Sequence, residues 1–151
     1  MPTKTQRIIG WTLTVLVGLF LIGASGVPKF LPIPPKPAVT DNAEKPSEFD
    51  MATMMEKLQI PLDLLKTLGV IEMTVAVMYL IPRTAFLGAI LTTGYLGGAV
   101  WTHLRVGDSW YFPIIIGVLM WLGLALRRPA IFRLLFGQDS LAAPINNAVQ
   151  R

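Results

Sequence analysis

The fold of this chain is decided by residues 68–105, which read LGVIEMTVAVMYLIPRTAFLGAILTTGYLGGAVWTHLR. Two long apolar blocks, 67–81 and 84–102, are separated here only by Pro82 and Arg83. A bilayer core about 30 Å thick needs roughly 20 helical residues to cross it. Because proline ends a helix and so little chain separates the blocks, the stretch predicts two membrane-spanning helices, at about 64–81 and 84–103, joined by a tight turn.

Two further apolar blocks extend this hairpin to four helices. One covers residues 8–27 and carries no charge, and the other covers 110–126 and is closed by two arginines. The first block also has the parts of a cleavable signal peptide, but its apolar run exceeds the usual 7–15 residues. With 53% apolar and 15% charged residues, the sequence predicts an all-α membrane protein. We expect a four-transmembrane-helix bundle over residues 1–136, with short interfacial helices.

The remaining segments lie outside the four predicted helices. Residues 28–63 are predicted to form an outer loop, and the segment begins with a proline-rich stretch. Apolar residues recur in it at three- and four-residue steps, at Met51, Met54, Met55 and Leu58. This spacing predicts a short helix over 48–58, which lies on the bilayer or covers a pocket as a lid. Residues 129–136 predict a second interfacial element, and residues 137–151 a polar tail.

Lysine and arginine near the helix ends predict the orientation. If both termini are cytoplasmic, this side carries six basic residues with no acid nearby: Lys4, Arg7, Arg83, Arg127, Arg128 and Arg133. The longer outer segment can translocate despite its lysines. We therefore expect cytoplasmic N- and C-termini. The net charge of +4 then reflects boundary residues that meet lipid head groups, and it does not indicate a nucleic-acid partner. The absence of cysteine excludes thiol chemistry by this chain alone.

Glu72 is the most informative ionisable residue. An acid in the middle of a membrane helix costs at least about 2.5–3.5 kcal/mol on insertion scales and normally faces a partner. A rise of 1.5 Å per residue from the turn at Pro82 places Glu72 near the bilayer midplane, level with Tyr95 on the antiparallel helix. We expect Tyr95, or Thr92 one turn away, to be its hydrogen-bond partner, and burial to favour a protonated carboxyl. Glu72 either forms a purely structural hydrogen bond between helices, or it lines a ligand pocket or carries a proton.

The single histidine of the chain, His103, lies near the outer end of the third helix and is followed by Arg105 and Asp108. His103 is either a plain interfacial residue or, with Arg105, a site for head groups or carbonyl groups in which Asp108 holds one of them in place. Lys29 is expected at a similar height, near the mouth of the bundle. One histidine and no cysteine cannot supply a bis-histidine haem or a usual zinc site. No metal site and no catalytic motif are identified.

Small residues spaced by four mark helix surfaces that can approach closely. Gly10, Thr14 and Gly18 form one such stripe, and Gly94 and Gly98 form a Gly-x-x-x-Gly pair. We expect these stripes to pack within the bundle. The alternative for Gly94 and Gly98 is a homodimer.

Four motifs occur in order along the chain: GASGVPK (23–29), LGVIE (68–72), IPRTA (81–85) and GYLGGAVWTHLR (94–105). Together they resemble the DoxX-like family of small bacterial membrane proteins, over about residues 8–135. The resemblance implies a four-helix bundle with matching motif positions at Ser25, Lys29, Glu72, His103 and Arg105. Relatives of the DoxX and DoxD subunits are associated with quinone-linked thiosulfate oxidation. The wider group resembles the animal acetylcholine-receptor chaperone, which assists assembly.

The leading hypothesis is a bacterial inner-membrane protein that binds a lipid-like or quinone-like molecule between its helices, as an accessory subunit of a redox system. Glu72 and Tyr95 would contact the buried end of the ligand, and His103, Arg105 and Lys29 its polar groups near the mouth. Ser25 and Asp108 complete the expected ligand-binding set. A quinone-linked oxidoreductase partner would supply the chemistry. The alternatives are a non-enzymatic assembly or scaffold protein, and a small transporter.

Overall fold

The computed structural model describes residues 3–31 and 56–135, and all regular structure in these residues is helical. Helix α1 spans Lys4–Leu19 and continues as a π-helical segment, Phe20–Gly26, and a 3-10 turn, Val27–Phe30. Helices α2, α3 and α4 span Leu62–Leu80, Ala85–Arg105 and Tyr111–Arg127, and the short α5 spans Pro129–Leu135. The ends of α2, α3 and α4 lie within two residues of the predicted ones. The first helical run is longer than predicted, from residue 4 to 30 instead of 8 to 27.

Parts of the predicted outer loop lie outside the described residues. This applies to the proline-rich stretch, to most of the predicted helix over 48–58, of which residues 56–58 are helical, and to the tail 137–151. Residues 129–136 were expected to form an interfacial element, and most of them form α5.

Local sequence explains how the helices begin and turn. Thr3 caps α1, because its hydroxyl accepts a hydrogen bond from the Gln6 backbone N–H while the Gln6 side chain accepts one from the Thr3 N–H, a reciprocal arrangement that satisfies two free donors. After Pro82, Thr84 Oγ1 donates to the Met78 carbonyl oxygen at 2.8 Å. This bond ties the start of α3 to the last turn of α2.

The four long helices pack in a closed ring. Helix α1 packs against α4 and α2, and α3 packs against α2 and α4. The core between them combines small and large apolar side chains, among them Val17, Leu21, Ala76, Ala89, Met120 and Leu124. Helices α2 and α3, and α3 and α4, are each joined by only a few residues and pack against each other, so these three helices alternate in direction.

Glycine stripes decide how closely the helices approach. A Cβ added at Gly10 would lie 2.7 Å from the backbone N of Arg127, and one at Gly18 would lie 2.4 Å from the Leu80 side chain. The expected intrachain packing of this stripe is confirmed. For Gly94 and Gly98 it is wrong, because nothing lies within 4 Å of an added Cβ at either position. The homodimer through these two glycines stays a prediction.

Two helical segments are long and apolar enough to cross a membrane, judged by length and composition: Lys4–Phe30 and Ala85–Arg105. Tyr111–Arg127 is a shorter apolar helix. Helix α2 has sufficient length but carries Asp63, Lys66 and Glu72. The described chain therefore contains two candidate spans by these measures, and they occupy opposite corners of the ring.

Candidate functional site

A buried ion pair joins the end of the first helical run to the middle of α2. Lys29 Nζ lies 2.5 Å from Glu72 Oε2, and only 10% of the lysine side chain and 2% of the glutamate side chain are exposed. A lysine ammonium has three N–H donors. Lys29 Nζ also donates to the Ser25 carbonyl oxygen at 2.8 Å and to Ser25 Oγ at 2.9 Å. The three donors of Lys29 are thus matched by three acceptors.

The carboxylate receives a second donor from α3. The Tyr95 hydroxyl donates to Glu72 Oε2 at 3.0 Å, which confirms the predicted partner. Thr92, the other partner considered, is fully buried, and its hydroxyl has no hydrogen-bond partner among the described residues. Ser25, Lys29, Glu72 and Tyr95 are called the polar cluster below.

Two glycines let the end of the first run lie directly on α2. A Cβ added at Gly26 would lie 2.9 Å from the Met73 side chain, and one at Gly69 would lie 2.8 Å from the Phe30 ring. Residues three or four apart on a helix share a face. Gly69 therefore admits the chain on the same face of α2 that carries Glu72. Short π-helical segments inside longer helices are frequently found at functional sites, and the one at Phe20–Gly26 carries Ser25.

The expected position of Lys29 is wrong. Sequence reasoning ended the first helix at residue 27 and placed Lys29 near the mouth, at the height of His103. The helical run instead continues to Phe30, and Ser25 and Lys29 share a face because they are four residues apart. For Glu72 the sequence analysis expected Tyr95 or Thr92 as the partner, and the structure adds a cation, Lys29, on the same carboxylate oxygen as Tyr95.

A second polar group lies where α3 meets α4. His103 Nδ1 is 2.9 Å from Asp108 Oδ2, Lys57 Nζ is 2.6 Å from Asp108 Oδ1, and Arg105 Nη2 donates to the Leu58 carbonyl oxygen at 2.8 Å. We call these contacts the loop tie. The prediction that Asp108 holds His103 or Arg105 is confirmed for His103. The hydrogen bond from Lys57 is the main cause that lowers the pKa of Asp108 to about 2.

The polar cluster and the loop tie lie at different depths. Tyr95 and His103 are eight residues apart on α3, which corresponds to about 12 Å along the helix axis. Leu58 is buried and packs with Leu65 and Val106, so residues 56–60 are held at the His103 end of the bundle. Of the seven expected ligand-binding residues, four meet in the polar cluster and three in the loop tie.

A third polar group was missed by sequence reasoning. Tyr79 is fully buried, its hydroxyl donates to the Met120 carbonyl oxygen at 2.9 Å, and it lies 3.2 Å from Thr14 Oγ1. Arg127 Nη2 donates to the Tyr79 carbonyl oxygen at 3.0 Å. A signal was available, because Tyr79 follows Glu72 by seven residues, two helical turns, and so shares its face of α2.

A groove of about 550 Å³ lies between α3 and α4. Its lining is almost wholly apolar and includes Leu96, Gly97 and Val100 of α3 and Gly117, Val118 and Trp121 of α4. None of the polar-cluster residues lines it, because Tyr95 projects from α3 towards α2 whereas the groove lies on the α4 side. This groove is therefore not the pocket that was expected beside Glu72.

Comparison with known proteins identifies the family. A sequence model of the DoxX-like family matches residues 12–123. No curated protein and no solved structure matches the chain. The matched stretch contains the polar cluster and the residues 103–108 of the loop tie, and it confirms the resemblance seen in the four motifs. Since the match covers most of its length, this chain belongs to the DoxX-like family of membrane proteins.

Proposed function

We propose that this protein crosses the bacterial inner membrane four times, with both termini in the cytoplasm, and binds the polar head of a lipid-like or quinone-like molecule at the polar cluster. In this role it is an accessory subunit of a redox system. The observation that carries the proposal is the buried Lys29–Glu72 pair with Tyr95 on the same carboxylate oxygen.

Four spans are supported by the outer surface of the shorter helices. Helix α2 lies between the two candidate spans and exposes Val70, Ile71 and Val77, and α4 exposes Ile114, Ile115, Val118 and Leu122. The interior of the ring meanwhile buries Thr14, Glu72, Thr92 and Arg127. An apolar exterior around a partly polar interior suits a lipid surrounding, since helices there associate through close packing and polar contacts.

Stability alone does not explain why a buried ion pair is present at this position. Replacing a buried ion pair by apolar residues of similar volume is often neutral or stabilising, and ionisable groups inside membrane helices commonly mark ligand or ion sites. Lys29 and Glu72 are both nearly inaccessible. We therefore assign the pair to ligand recognition.

The donor set fits a carbonyl oxygen. Two of the three Lys29 donors go to the neutral acceptors of Ser25. A quinone-like carbonyl can replace one of these acceptors and leave the Lys29–Glu72 pair intact. The Tyr95 hydroxyl meanwhile keeps its single hydrogen on Glu72. The ligand carbonyl would thus accept a charge-assisted hydrogen bond from the Lys29 ammonium beside a preserved ion pair.

The second candidate is an assembly or scaffold protein, in which the polar cluster only sets the register of the helices. The hydrogen bonding of the polar cluster favours the scaffold role, because each Lys29 donor already has an acceptor within the chain. The two candidates differ in whether a specific small molecule accompanies the purified protein.

The test is lipid extraction from the purified full chain, followed by mass spectrometry. We expect enrichment of a quinone or another prenyl lipid over its share of the source membrane, and loss of that enrichment in Glu72→Gln and Lys29→Met. Asp63→Asn is the matched control, because it neutralises an exposed acid on the same helix. A wild-type extract with the composition of the bulk membrane would refute ligand binding and favour the scaffold.

A further inference from the structure

An incompletely paired guanidinium lies at the end of the bundle opposite His103. Arg127 retains only 7% of its surface exposed. One nitrogen donates to the Tyr79 carbonyl oxygen, and the guanidinium lies 4.8 Å from the Trp11 ring centroid and 5.2 Å from that of Tyr79. Nε and Nη1 are buried and have no acceptor among the described residues. Buried polar atoms are nearly always hydrogen-bonded, so an acceptor is missing.

No described carboxylate is placed to supply it. Glu56, Asp63 and Asp108 belong to the His103 end, and Glu72 is held in the polar cluster. The charged residues described at the Arg127 end are all basic: Lys4, Arg7, Arg83, Arg128 and Arg133. An acceptor that comes from outside the described chain and carries negative charge is favoured by all of them.

We propose that Arg127 is the centre of a phosphate-binding site at this end of the bundle. The planar guanidinium matches the oxygens of a phosphate better than a lysine does. Basic pockets between membrane helices on one side of the bilayer are known to bind anionic lipid head groups. In a membrane protein the phosphate of an anionic phospholipid is the nearest source, and free inorganic phosphate is the other. The site is separate from the polar cluster and does not depend on its ligand.

The Trp11 ring lies against the guanidinium and is itself 36% exposed. The proposed site requires a change of the Trp11 rotamer to admit the phosphate. Arg7 lies one turn before Trp11 on the same face of α1, and Arg128 follows Arg127 and is exposed. Both are positioned to add charge at the rim once the phosphate reaches Arg127.

The experiment measures lipid retention by the full chain. The protein is reconstituted in phosphatidylcholine vesicles with or without phosphatidylglycerol, extracted gently, and its retained lipids are counted by native mass spectrometry. We expect the wild type to prefer phosphatidylglycerol about tenfold or more, and Arg127→Gln to lose that preference. Arg128→Gln is the matched control, because it removes the same charge from the neighbouring exposed position. It should weaken the preference by no more than about fivefold, the effect of one surface charge.

The outcomes separate the possible roles of Arg127. Equal losses in Arg127→Gln and Arg128→Gln would overturn the proposal in favour of a diffuse basic surface. An unchanged preference in Arg127→Gln would also overturn it, because the guanidinium would then not be the group that binds the lipid. If the glutamine variant does not fold, Arg127→Lys keeps the charge and should still lose most of the preference. If inorganic phosphate alone stabilises the wild type against unfolding, the same site is assigned to free phosphate.

Discussion

Replacement of Lys29 by methionine should destabilise the protein more than removal of the Tyr95 hydroxyl from the same polar cluster. The change keeps an unbranched apolar stem and removes the ammonium that lies 2.5 Å from Glu72 Oε2. Because the Glu72 side chain is only 2% exposed, the carboxylate cannot turn to water, and the Tyr95 hydroxyl at 3.0 Å remains its one described donor. Removal of one member of a buried pair typically costs about 3–5 kcal/mol. We expect a loss of this size in the free energy of unfolding.

Two variants serve as controls for this magnitude. Tyr95→Phe removes a neutral donor from the same oxygen and leaves the ion pair, and hydrogen bonds inside membrane proteins average about 0.6 kcal/mol and reach about 1.7 kcal/mol. The double variant Lys29→Met with Glu72→Leu removes both charges. It should recover most of the loss, because an apolar pair of similar volume is often neutral or stabilising.

The measurement is unfolding of the purified protein in mixed micelles by titration with sodium dodecyl sulfate. The four tryptophans report the transition by fluorescence. If Lys29→Met costs no more than Tyr95→Phe, or if the double variant is less stable than Lys29→Met, the ion pair does not hold the first helical run on α2 and the reasoning is refuted.

Three further predictions follow from individual contacts. Gly88→Ala should lower the thermal unfolding midpoint, because the added Cβ would lie 2.3 Å from the Tyr79 backbone N. Gly94→Ala adds a Cβ with nothing within 4 Å and should be neutral or stabilise by up to about 1 kcal/mol through helix propensity. Equal changes of the midpoint in the two variants would contradict this contrast. Tyr79→Phe removes the bond to Met120 and the contact with Thr14 and should cost about 1 kcal/mol in the same micelle titration, where no loss would contradict it. The pKa of Asp108 is lowered from 3.8 to about 2. The contribution of this carboxylate to stability is therefore fully present above about pH 4 and is lost as the pH falls through about 2. Hydrogen exchange of residues 103–108 should show this acid transition, and Asp108→Asn should lack it.

Depth along each helix could be predicted from the sequence. The turn at Pro82 sets a common origin for α2 and α3, and a constant rise per residue then puts Glu72 level with Tyr95. The observed hydrogen bond between them follows from that arithmetic. The contact of Asp108 with His103 could be predicted for a similar reason, since five residues around a helix end keep the two side chains close.

The partners that come from helix α1 could not be predicted in this way. Lys29 reaches Glu72 because a π-helical segment and a 3-10 turn carry the run past residue 27, and apolar composition alone does not distinguish these from an α-helix or a loop. From the sequence, Arg127 was predicted to be one of the basic residues at the membrane boundary. Its burial depends on Gly10, which lets α1 approach the backbone of α4.

The sequence by itself determined the helical class, the ends of α2, α3 and α4, the family, and the depth at which an acid would lie. These properties depend on the length of apolar blocks and on the breaks between them, which are local. Only the tertiary structure decided which cation meets Glu72, that Gly94 and Gly98 face outward, and that Arg127 is buried without a complete set of acceptors among the described residues. Those properties depend on the rotation of each helix about its axis, which is set by the close packing of side chains from all four helices together.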